Sequence, residues 1–199
     1  MTALAREPVV VDRARPLSPG AWGMLLLIAT EGSLFGYLLF SYFYLASMAR
    51  GPWPPAGMPE LRLALPNTGV LLLSSGAMWW AESGIRRGRR GRLLAGLALA
   101  LALGLVFLGI QLVEYRHQAF GPSTDAYGSL FFTITGFHGA HVAVGLLMMA
   151  VVALRAGLGH FSASRHLAVT NVAWYWHFVD AVWLVVFTSL YLSPRLVGA

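Results

Sequence analysis

The chain has 199 residues, 57% of them hydrophobic and 11% charged, against about 25% charged in soluble domains. So little charge cannot cover a water-facing surface, and the composition reads as an integral membrane protein of one domain. The net charge is +6, all 14 basic residues are Arg and there is no Cys. The missing Cys excludes disulfides, thiolate metal sites, iron–sulfur clusters and Cys nucleophiles.

The first 19 residues (MTALAREPVVVDRARPLSP) are polar and rich in Arg and Pro, and read as an exposed tail. The apolar run behind them is too long for the core of a signal peptide. Five stretches then follow, at about 21–48, 67–83, 92–114, 127–154 and 171–192. Each is long enough to cross a bilayer of about 30 Å as a helix. Alternation of the kind a barrel strand needs is absent, so the fold class is an all-α integral membrane bundle of five transmembrane helices. Between spans 1 and 2, GPWPPAGMP holds four Pro and cannot stay helical. GPSTD, before span 4, is a turn cluster.

Five Arg fall in one stretch, Ile85–Leu93 (IRRGRRGRL). Placed between two apolar runs, they are a topology signal, and no nucleic-acid partner is expected. The tail and the loops at 85–92 and 155–170 hold ten of the 14 Arg; the opposite side holds Arg50, Arg62, Arg116 and Arg195. The positive-inside rule predicts the N-terminus inside and the C-terminus outside.

Span 1 carries Thr30, Ser33, Tyr37, Ser41 and Tyr44, which helical geometry gathers within about 60° of one another. The expectation is that this polar stripe faces protein. Span 3 carries Gly96, Ala100 and Gly104, a small-residue stripe that lets another helix approach closely.

Ionisable groups inside spans are expensive. Glu31 lies about 14 Å into span 1, Asp180 about as deep in span 5, and His177 about 9 Å in. His138 falls near the midplane of span 4 and His141 about 9 Å from the inner side. Glu31, His138, His141, His177 and Asp180 are therefore expected to share the inner half in a polar network joining spans 1, 4 and 5. Glu114, at the outer edge of span 3, is expected to reach water. Two roles stay open for the network, structural glue between helices or a lipid-headgroup or proton-handling function. A two-His haem on His141 and His177 is a third reading. The diiron Glu-x-x-His pattern, a nucleophile triad and a phosphate loop are absent from the sequence. The reading from another class is an autonomous proton or ion carrier.

Four stretches resemble subunit III of the haem–copper respiratory oxidases, most closely the cytochrome c oxidase branch. They are ATEGSLFGYLLFSYFYL (Ala29–Leu45), LPNTGVLLLSSG (Leu65–Gly76), QLVEYRHQAFGPSTDAYGSLFFTITGFHGAHVAVG (Gln111–Gly145) and WYWHFVDAVWLVVFTSLYL (Trp174–Leu192). The chain is similar to the short form, which lacks the first two of seven helices. WWAESG (Trp79–Gly84) departs from the family's His pair after Trp-Ala.

The resemblance implies a non-catalytic subunit that binds no metal. Haem and copper are expected in partner subunits I and II, with subunit I packed directly alongside. Small subunits or a respiratory supercomplex are further possible partners. Phospholipids and other membrane lipids are implied as ligands, and support of proton uptake and stability as the role. Carried over, Glu31 is the family's membrane-embedded carboxylate. The same family holds the alternatives of a quinol oxidase subunit III or an accessory subunit of nitric oxide reductase. The expected location is a prokaryotic cytoplasmic membrane.

Overall fold

Ser18 starts the first helix. Its side chain accepts the Ala21 N–H at 3.3 Å, and Pro19 supplies a first-turn residue with no N–H to satisfy. The computed structural model describes residues 17–55 and 57–197, so the tail expected over residues 1–19 lies outside the described residues up to residue 16. Its last residue, Pro19, is helical. Five long helices follow in order: α1 (Pro19–Met48), α2 (Leu61–Arg86), α3 (Arg90–His117), α4 (Ala126–Gly157) and α5 (Leu167–Phe187). A π-helical turn (Thr188–Leu192) and a short α6 (Ser193–Val197) extend α5.

Among the described residues, four spans are long and apolar enough to cross a membrane: α1, α3, α4, and α5 with its extension. α2 has the length, at 26 residues, but Asn67, Thr68, Ser74, Ser75 and Glu82 dilute its apolar character. It begins at Leu61, six residues before the expected Asn67, and runs through Pro66. A proline so near the start removes one helical hydrogen bond without ending the helix.

α2, α3, α4 and α5 each pack on two neighbours and close a ring, while α1 lies outside it against α4 and α5. The most apolar window of α1 is 11% buried, against 56% for the last span. The expected small-residue stripe of α3 is buried. A Cβ on Gly96 would stand 2.7 Å from that of Ala81 on α2, and one on Gly104 2.7 Å from Leu146 on α4. On α4, a Cβ at Gly145 would meet the Trp176 ring at 2.8 Å. Bare backbone at these positions sets the closest helix approaches.

The stripe on α1 does not face this bundle, contrary to expectation. Thr30, Ser33, Tyr37 and Tyr44 are exposed and Ser41 is half-buried. Thr30, Ser33 and Ser41 hydroxyls donate to the carbonyls of Leu27, Ala29 and Tyr37 on their own helix. Back-bonding of this kind lets a hydroxyl sit on a lipid-facing surface without a partner helix.

Candidate functional site

Glu31 sits midway along α1 on the side turned toward α4, its side chain 28% exposed. His141 of α4 meets it, Nε2 to Oε2, at 3.0 Å. The other ring nitrogen, Nδ1, lies 2.7 Å from the Phe137 carbonyl one turn back. A carbonyl can only accept, so Nδ1 carries a proton. The contact to Glu31 then has two forms, an imidazolium donating to a carboxylate or a carboxylic acid donating to Nε2. Both leave the pair with no net charge, which is what an apolar surrounding requires. The Phe35 ring stacks edge-on against His141 at 5.1 Å and screens one side.

α5 presents a second arrangement. Trp176 and Trp183 are seven residues apart, on one face of the helix. Each indole N–H needs an acceptor in the interior, and α2 supplies both. Trp176 Nε1 donates to Ser74 Oγ at 3.0 Å and Trp183 Nε1 to Thr68 Oγ1 at 2.9 Å. Those hydroxyls in turn donate to the Leu71 and Ala64 carbonyls. His177 Nδ1 lies 2.6 Å from Ser75 Oγ on the same helix. Asp180, one turn on, is 4% exposed, and neither carboxyl oxygen has a hydrogen-bond partner among the described residues.

His138 occupies the centre of the ring of helices, 1% exposed. Both its ring nitrogens lack partners among the described residues. Aromatic rings surround it instead: Trp183 at 4.8 Å, Phe107 at 5.8 Å and Phe35 at 6.4 Å.

The expected single network across spans 1, 4 and 5 is therefore divided. Glu31 and His141 join α1 to α4. His177 turns to α2, a helix the expectation left out; Asp180 lies near the same Ser75 without bonding it, and His138 stands apart from both contacts. Equal depth along helix axes says nothing about which way a side chain points around them. Glu114 is the second correction. It is 2% exposed rather than water-facing, accepting from Tyr191 at 2.7 Å and from Gln118 at 3.2 Å. The extension of α5 past Phe187 carries Tyr191 over the end of α3 and closes it off.

Sequence reasoning missed Thr68, Ser74, Ser75 and Tyr191. A signal for the first two was present, since two buried indoles on one helix face require two acceptors on a neighbour. Among the described residues, no three His, Asp or Glu gather as a metal-binding group. His141, read as one possible haem ligand, has both ring nitrogens engaged.

Taken together, these features define a polytopic helical membrane protein in which Glu31, Glu114, His141 and His177, inside or at the ends of the spans, meet side-chain partners on neighbouring helices. The family model described as cytochrome c oxidase subunit III matches residues 15–194. Relatives named cytochrome c oxidase subunit 3 include those of Danio rerio, 41% identical, and Ornithorhynchus anatinus, 40% identical. Each alignment covers 85% of this chain and 68% of the relative. The chain belongs to the cytochrome c oxidase subunit III family, and is thus a membrane subunit of an oxidase complex.

Proposed function

We propose that this chain is the non-catalytic subunit III of a proton-pumping cytochrome c oxidase. In this reading it packs beside subunit I, next to subunit II, while haem and copper reside in those partners. It binds phospholipid and supports proton uptake and the stability of the complex. Its setting is a prokaryotic cytoplasmic membrane, with the N-terminus inside and the C-terminus outside, as the arginine distribution favours.

One observation carries the role: the Glu31–His141 pair at 3.0 Å, part-exposed between α1 and α4. The pair can hold its proton on either partner at constant net charge. A pair with that property can relay a proton, one partner accepting as the other gives one up, and so keep no net charge in hydrocarbon. Beside it, Gly32 and Gly36 of α1 and Phe178 and Val182 of α5 line an apolar groove of about 290 Å³, of the chemistry an acyl chain would take.

The test is purification of the intact complex in mild detergent, with and without Glu31→Gln. The reading expects co-purification with a haem-bearing subunit and a copper-bearing subunit II. It also expects an unchanged initial rate in the variant, with turnover that fails sooner. Co-purification with a quinol-oxidising or nitric-oxide-reducing partner would reassign the branch. A chain that purifies alone and conducts protons in liposomes would overturn the subunit reading.

A further inference from the structure

One turn before Glu114, α3 carries a second buried polar residue. Gln111 is 3% exposed, and neither its Oε1 nor its Nε2 has a hydrogen-bond partner among the described residues. A spacing of three residues puts it on the same face of α3 as Glu114. The Tyr191 hydroxyl, which donates to Glu114 Oε1, lies close to Gln111 as well. Asn67 of α2 is fully buried and donates from Nδ2 to the Phe107 carbonyl at 3.1 Å. Phe107 is one turn before Gln111, so the Asn67 amide borders the same turn of α3. Asn67 Oδ1 and Glu114 Oε2 also lack partners among the described residues.

Three acceptor oxygens therefore remain, Glu114 Oε2, Gln111 Oε1 and Asn67 Oδ1, against one donor group, Gln111 Nε2. With Glu114 ionised, that amide can serve the carboxylate and Asn67 but not its own Oε1. One buried carbonyl stays bare beside a buried charge, and both are costly. A proton on Glu114 Oε2 changes the balance. Oε2–H can donate to Gln111 Oε1 and Gln111 Nε2 to Asn67 Oδ1, while the Asn67–Phe107 and Tyr191–Glu114 bonds stay as they are. Each of these atoms then has a partner.

The charged groups around the site do not favour the anion. The ion pairs among the described residues are Arg86–Glu82 and His141–Glu31. On the extension of α5, Arg195 is engaged by the Tyr191 and Pro59 carbonyls. Arg62 of α2 and Arg116 and His117 of α3 are exposed, and the His117 ring lies against the Val113 carbonyl. Tyr115 donates to Thr135 of α4. Glu60, at the start of α2, adds repulsion.

We propose that Glu114 is a proton-binding site, occupied at neutral pH. Its carboxylic acid donates from Oε2 to Gln111 Oε1 and completes a chain of hydrogen bonds that fastens the extension of α5 over α3 and α2. No residue of the Glu31–His141 pair takes part.

Infrared spectra of the purified complex at neutral pH test this, because a protonated carboxyl and a carboxylate absorb in separate bands. Glu114→Gln should remove one protonated-carboxyl band. Loss of a carboxylate band instead, or no loss, overturns the proposal. The glutamine amide offers the same acceptor and donor as the neutral acid, so this variant should assemble with its partner subunits and melt within a few degrees of the wild type. Failure to assemble also overturns the proposal. In Gln111→Met, which removes the acceptor, the same band should persist and move to higher frequency, as a carboxyl released from a hydrogen bond does. An unmoved band overturns the Gln111 contact. The band belongs to this chain's own carboxyl, so it is read whichever oxidase branch the partners represent.

Discussion

At the scale of single residues, each ionisable group inside a span is costly, and the structure relieves that cost in different ways. Glu31 and His141 relieve it by contact, which predicts thermodynamic coupling. In a double-mutant cycle of Glu31→Gln and His141→Ala, read by detergent unfolding, the coupling should be about 0.6–1.7 kcal/mol. Asp180 shares no hydrogen-bond partner with His141, so Asp180→Asn with His141→Ala should add within about 0.5 kcal/mol. Glu114 supplies the acceptor for Tyr191, whose hydroxyl is buried. Glu114→Ala leaves that hydroxyl unpartnered and should cost about 1–3 kcal/mol, while Glu114→Gln retains an acceptor and should cost less. Thermal unfolding of the purified complex would rank the two.

At the scale of elements, glycine placement decides which helices touch and how closely. Gly145→Val must displace the Trp176 ring, which a Cβ alone would approach to 2.8 Å. Overpacking of this kind costs about 1–3 kcal/mol, and the change should lower the melting temperature of the bundle. Gly36 on α1 is the control: nothing lies within 4 Å of its built Cβ. Gly36→Ala should leave the melting temperature unchanged or raise it, since alanine favours helix by about 1 kcal/mol over glycine. The α2–α5 contact depends on paired polarity as well as close approach. Trp183→Phe keeps the ring stacked near His138 but removes the donor to Thr68. The Thr68 hydroxyl still bonds Ala64, so the expected loss is confined to about 0.5–1.5 kcal/mol.

At the scale of the whole molecule, four helices form a closed ring and the fifth lies against its outside. Burial follows that division, being high in the ring and low on α1. The Thr30, Ser33 and Ser41 hydroxyls of α1 are stable in lipid because the helix satisfies them locally. Orientation across the membrane is tested at this scale. A reporter active only outside the cytoplasm, fused after residue 199, should be active, and one active only inside should be silent. The opposite result would reverse the arginine-based assignment.

Composition and run length were enough to determine the class, the number of long helices and most of their cores, because a bilayer imposes one length and one hydrogen-bonding rule on every span. The family was legible too, in GFHGAH and WHFVDAVW, since these stretches are long and specific. α2 was the least legible helix. Its first six residues lie outside the predicted span and end on Pro66, so hydropathy placed its start six residues late. The candidate site divided in the same way. Distance along each helix put Glu31 and His141 at depths where they could meet, but which side chains do meet depends on rotation about the helix axes. That rotation is fixed by packing at Gly96, Gly104 and Gly145 and by indole-to-hydroxyl bonds between α5 and α2. The tertiary structure alone decided that His177 turns to Ser75, that His138 is enclosed by aromatic rings, and that Tyr191 closes over Glu114, because each of these depends on residues far apart in the chain.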